Sequence, residues 1–194
     1  MKKVLAVCMT LLSLCGCSKG TSTSKTTEYT ITNNVELHST PADMSGYTLI
    51  RGEAASYELV TLNEAMRLFE EGGSGILYLG HPDCEWCKRA LPELNEVLKE
   101  MNLSCYYVDD TVSITQTDMD KLIKYTGDTL RVDAETREKV FYVPYVCGIK
   151  NGEITGAHIS LVDDYELSDG DQMSDEQKEE LQDIYRGILL KTVD

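Results

Sequence analysis

A chain of 194 residues with 18 basic and 33 acidic side chains carries a formal net charge of −15, and 42% of its residues are hydrophobic. That length suits one globular domain and leaves no room for a second full one. The acidic balance excludes nucleic acid as a natural partner, because a phosphate backbone is bound through clustered Lys and Arg. It favours solubility and names no ligand.

Lys2 and Lys3 precede the apolar run Val4 to Leu14, which is too short to span a bilayer and suits the apolar core of a secretory signal. The run ends in Leu14-Cys15-Gly16-Cys17-Ser18, which resembles the bacterial lipobox, where an apolar residue and two small ones precede a cysteine that is diacylated and becomes the new N-terminus. Residues 1–16 are therefore expected to be a lipoprotein signal peptide, with Cys17 the lipidated residue; the plain alternative is an ordinary secretory signal holding stray cysteines. Loss of Lys2 and Lys3 leaves 16 basic against 33 acidic residues, a charge of −17. Lipid chains at Cys17 give stable tethering where a single acyl chain would be marginal, and they place the folded part on the extracytoplasmic face of the cell membrane. From Ser18 to Thr32 the chain is Ser, Thr and Lys with almost no apolar residues, so residues 17–46 are expected to form a flexible tether and residues 47–194 the domain.

Tyr57 to Val60 alternates like a short strand. Thr61-Leu62-Asn63-Glu64 has the spacing of a capping box, and Gly72-Gly73 ends the helix it would begin. Ile76 to Leu79 is a continuous apolar run suited to a buried strand, followed by Cys84-Glu85-Trp86-Cys87 and a helical stretch from Lys88 to Glu100. Tyr106 to Val108, a helix-prone segment at Asp118 to Tyr125 and the apolar run Val140 to Val143 come next. Tyr145 to Ile149, the turn Asn151-Gly152 and Ile154 to Ile159 form a hairpin signal. A last helix runs from Asp175 to Leu190, after the acidic loop Asp163 to Asp175, whose carboxylates lack calcium-loop spacing. Alternating strands and helices predict an α/β fold.

Cys84 and Cys87 carry the chemistry. Three residues make nearly one helical turn, so two thiols at a helix start lie on one side, and the free backbone N–H groups there favour a thiolate at Cys84. Cys84 would attack a disulfide and Cys87 would resolve the product. Taken alone the pair fits equally half a zinc site or two core cysteines.

The surrounding residues resemble the thioredoxin superfamily. Lys88 just after the second cysteine and Pro92 five residues beyond it, then Pro144, Lys150, Asn151 and Gly152 at their later spacing, match its pattern. The resemblance implies a thioredoxin-like fold: a central mixed β-sheet flanked by helices, with an insertion between the active-site helix and the cis-proline strand. It implies a cis Val143–Pro144 bond, with Pro144 shaping a substrate groove. The chain departs from thioredoxins proper in three places. Residues Thr111 to Lys139 add length suited to a substrate or partner surface, Tyr78 replaces a buried aspartate that assists proton transfer, and Glu85-Trp86 replaces Gly-Pro. With the lipobox and the acidic last helix, it looks more like the lipid-anchored thioredoxin-like and bacteriocin-accessory-type proteins of Gram-positive bacteria.

The expected function is that of an extracytoplasmic, membrane-anchored thiol–disulfide oxidoreductase. It would act on protein thiols and disulfides, exchange electrons with a membrane donor or acceptor, and need no cofactor and no metal. The competing class is a non-catalytic accessory lipoprotein with a structural Cys84–Cys87 disulfide. Asp83 and Glu85 disfavour a thiolate while Lys88 and Arg89 favour it, and the absence of a histidine between the cysteines leans toward a reductant or isomerase. Cys105 and Cys147 fall on strands either side of the active-site strand, roughly 9 to 10 Å apart, and are expected as free buried thiols. A zinc alternative recruits His81, Cys84 and Cys87 with Cys147 or solvent, although His81 beside Pro82 is more simply a loop residue. Trp86 either shields the disulfide, grips an unfolded substrate, or is merely exposed.

Overall fold

The computed structural model describes residues 27–112, 114–167 and 172–194. The lipobox-like segment expected at Leu14 to Cys17 and most of the expected tether lie outside the described residues. Strand β1 (Thr40–Pro41) pairs with β2 (Ser56–Leu59). Helix α1 (Leu62–Glu70) starts at Thr61, whose hydroxyl accepts the Glu64 N–H at 3.1 Å. The expected box is half formed, because the Glu64 carboxylate turns away to accept from the His38 backbone N–H at 2.8 Å. Then follow β3 (Gly75–Gly80), α2 (Glu85–Met101) with Pro92 buried inside it, and β4 (Ser104–Asp109).

The added length holds α3 (Gln116–Thr126), a 3₁₀ turn and the two-residue strands β5 (Arg131–Val132) and β6 (Lys139–Val140), which pair only with each other. The apolar run from Val140 is therefore not a strand of the main sheet; Phe141 instead packs on Tyr145, ring centroids 5.1 Å apart. Strands β7 (Tyr145–Lys150) and β8 (Glu153–Ile159) form the expected hairpin. Asn151 and Gly152 both take positive φ, 53° and 83°, as a two-residue type I′ turn requires. Helix α4 (Asp175–Thr192) starts with a full capping box between Ser174 and Gln177.

The main sheet runs β1-β2-β4-β3-β7-β8, with β2, β4 and β3 parallel and β7 and β8 antiparallel. With helices on both faces and a cis Val143–Pro144 bond, this is the thioredoxin-like α/β fold that the resemblance implied. The central strand reads Ile76-Leu77-Tyr78-Leu79 because both its faces are covered. Ile76 and Tyr78 join Leu91, Leu94 and Leu98 of α2 and Leu189 of α4 in one core, whereas Leu77 and Leu79 join Met66 and Leu68 of α1 and Leu122 of α3 in the other.

Order reaches further toward the N-terminus than the composition suggests. Val35 and Leu37 are buried in the second core and Met44 and Tyr47 in the first. Asn33 holds the backbone of Val35 from both sides, accepts the Ser74 N–H at 3.0 Å and donates to the Tyr106 hydroxyl at 3.1 Å. Residues 27–46 thus belong to the packed domain, and the expected boundary at residue 47 is corrected. Tyr29, Ile31, Val35 and Leu37 alternate with exposed residues, a period-two signal that the polar composition of the segment outweighed.

Candidate active site

The two cysteines stand at the junction between β3 and α2. A buried central strand ending at Gly80 delivers the chain to one end of the sheet, and the turn His81 to Cys84, closed by Cys84 N–H to His81 C=O at 3.3 Å, starts the helix. Cys84 is the N-cap of α2, and its sulfur accepts the Cys87 backbone N–H at 3.2 Å. A sulfur in place of the usual cap oxygen binds its charge to the helix start, where free N–H groups favour an anion. Cys84 is half-buried while Cys87, one turn on, has 0% exposure.

Their acidities divide accordingly. The Cys87 thiol donates toward Cys84 and, against the opposing effect of burial, with the N–H groups of Cys87 and Trp86 and the charge of His81, lowers the Cys84 pKa to about 6. The same hydrogen bond, with burial, pushes Cys87 far above the ordinary thiol range. One sulfur is poised as a nucleophile and the other is held as a thiol.

The expected contest between charges resolves differently from the tally in sequence. Glu85 is paired with Lys88 at 2.6 Å and with Arg89 at 2.8 Å, so its negative charge is neutralised within the helix. His81 brings an imidazole to the site, its Nδ1 2.7 Å from the Asp110 carboxylate. Burial works against the charge on this ring, but Asp110, Cys84 and Asp109 outweigh it and raise its pKa. Sequence reasoning left His81 as a loop residue and missed Asp110, which arrives just past the end of β4 and carries no local signal.

Pro144 is buried, and the pairing of Leu79 with Tyr145 puts it one step further along, beside Gly80 at the same end of the sheet as the cysteines. Next to it a groove of about 430 Å³ is lined by Leu79, Asp110, Ile114, Met119, Phe141 and Val143. One wall of the groove is the inserted segment around α3. Trp86 and Tyr142, 42% and 47% exposed, flank this end of the molecule.

Cys105 and Cys147 are free and buried as expected, and they occupy opposite cores, one on each face of the sheet. That placement removes Cys147 from any zinc set with Cys84 and Cys87, which belong to the first core, and Asp110 already engages the His81 ring. Among the described residues no three His, Cys, Asp or Glu side chains form a group able to hold a metal ion. None of the described helices is long and apolar enough to cross a membrane.

No family model and no curated protein matches this sequence. Among solved structures, the chain is similar to a thioredoxin from Aeropyrum pernix, with 20% identity, a TM-score of 0.35, and coverage of 52% of this chain and 73% of that one.

Proposed function

We propose that this chain is a thiol–disulfide oxidoreductase anchored by lipid at Cys17 on the extracytoplasmic face of the membrane, acting on protein substrates through Cys84 and Cys87. The observation that carries the proposal is the asymmetry of the pair: a half-buried, acidified Cys84 at a helix start and a fully buried Cys87 one turn later. Attack by the Cys84 thiolate on a substrate disulfide gives a mixed disulfide; attack by Cys87 on Cys84 then closes the internal disulfide and releases the reduced substrate. The reverse sequence oxidises a substrate dithiol. The groove beside Pro144, where apolar side chains alternate with Asp110, Thr115 and Gln116, and the exposed rings of Trp86 and Tyr142 suit an unfolded polypeptide segment. The membrane address rests on Leu14 to Cys17, and it supports a likeness to the lipid-anchored, bacteriocin-accessory-type branch of the superfamily.

Cys87→Ser tests the proposal in cells, because a chain that cannot resolve its mixed disulfide accumulates it. Covalent complexes joined through Cys84 are expected in the membrane fraction, and they should leave that fraction when Cys17→Ser is added. If the folded Cys87→Ser variant gives no complexes, the pair is structural and the chain is an accessory protein on the same scaffold.

A further inference from the structure

Resolution by Cys87 requires a buried thiol with a strongly raised pKa to lose a proton. The Tyr78 hydroxyl approaches this sulfur beside Gly80 and lowers the thiol pKa against the effect of burial. Tyr78 has 0% exposure, and its hydroxyl shares with the Cys87 sulfur the small space left by Gly80. A Cβ built at Gly80 would lie 2.6 Å from the Tyr78 oxygen and 2.9 Å from the Cys87 Sγ, so only glycine leaves the two groups room to meet. On its other side the Tyr78 hydroxyl lies 3.5 Å from the Tyr47 hydroxyl, with either able to donate. Tyr47, 3% exposed, packs edge-on against both Tyr78 and Tyr107, centroids 6.4 and 6.3 Å away, and borders a cleft formed by residues 42–55.

We propose that Tyr78 and Tyr47 form a proton relay that connects the buried Cys87 thiol to solvent during the resolving step. The proposal rests on the exchange function above and assigns the proton path within it. As the Cys87 sulfur attacks the Cys84 sulfur of the mixed disulfide, its proton moves to the Tyr78 oxygen while Tyr78 passes its own proton to Tyr47, and Tyr47 releases one toward the cleft. The Cys84–substrate bond breaks and the Cys84–Cys87 bond forms. The substrate leaves as a thiolate and takes a proton from water, so the dithiol is oxidised, the substrate disulfide is reduced, and no net proton is gained or lost. Neither tyrosine has to carry a charge, which their buried hydroxyls would resist.

The two steps can be timed separately in the full reduced chain mixed with dithionitrobenzoate, by acid quench and mass spectrometry of the peptide carrying Cys84 and Cys87. Wild type should form the aryl mixed disulfide at Cys84 and then replace it with the internal disulfide, and the second step should slow in deuterium oxide. Tyr78→Phe keeps the ring and should leave the first step unchanged, slow the second by about 100-fold, the low end of positioned proton transfer, and abolish most of the isotope effect. Tyr47→Phe, one link further from the sulfurs and usable if Tyr78→Phe misfolds, should slow the same step less. A second step at the wild-type rate in both variants, or slowed with its isotope effect intact, would overturn the relay and leave dithiol exchange standing. Failure of wild-type Cys84 to take up the aryl group at all would instead remove the exchange function, and the relay with it.

Discussion

At Cys84 three sources of positive potential converge: the Cys87 thiol, the N–H groups of the first helical turn, and the His81–Asp110 pair. They differ in weight, the Cys87 contact being the largest and His81 the smallest. Alkylation of Cys84 should therefore rise through a midpoint at about 6, where an unperturbed thiol shows about 8.5. Cys87→Ala should move that midpoint up the most. Asp110→Asn should move it up by less, because the carboxylate that keeps the His81 ring charged is gone. The consequence for stability follows in sign. A thiol whose folded pKa is depressed favours the folded reduced form fully above the unfolded value and loses that contribution as the pH falls through about 6. The melting temperature of reduced wild type, measured against Cys84→Ser, should climb between those limits; a flat difference would show that Cys84 titrates like a free thiol.

Elements differ in how much of themselves they announce. The hairpin of β7 and β8 was legible because it depends on residues near in sequence, Asn151-Gly152 at its turn, whereas α2 starts at Glu85, three residues ahead of the expected Lys88, because the Cys84 sulfur caps it, and the place of Pro144 followed from the family resemblance. What stayed hidden depends on partners far away. Asp110 reaches His81 across 29 residues, Tyr47 reaches Tyr78 across 31, and Asn33 reaches Ser74 across 41. The segment from residue 27 to 46 is the clearest case, since its polar composition reads as tether while its few apolar side chains fill both cores. Asn33→Ala distinguishes the two descriptions. It would strip the Ser74 N–H, in a residue 4% exposed, of its acceptor, and urea denaturation should record a loss of about 1–3 kcal/mol, the cost of an orphaned buried group. A tether would give no change.

At the scale of the whole molecule, the reduction potential measures how much more the fold stabilises the disulfide form than the dithiol form. The elements that set it are the helix start, the neutralised Glu85 and the buried Cys87, all on the face of the sheet covered by α2 and α4. A stabilised Cys84 thiolate stabilises the dithiol and raises the potential, which places the midpoint between about −270 and −120 mV. It also fixes how that midpoint moves with pH. Below the Cys84 pKa, reduction takes up two protons with two electrons, and the potential falls by about 59 mV per pH unit; above it, one proton suffices and the slope halves to about 30 mV. The break should come at about 6. Trp86, the sole tryptophan, lies between the two cysteines, so its fluorescence in thiol buffers of graded pH reports the whole curve. A break near the ordinary thiol value would refute the acidified nucleophile, and a bridge that resists reduction until well below about −300 mV would identify a structural disulfide.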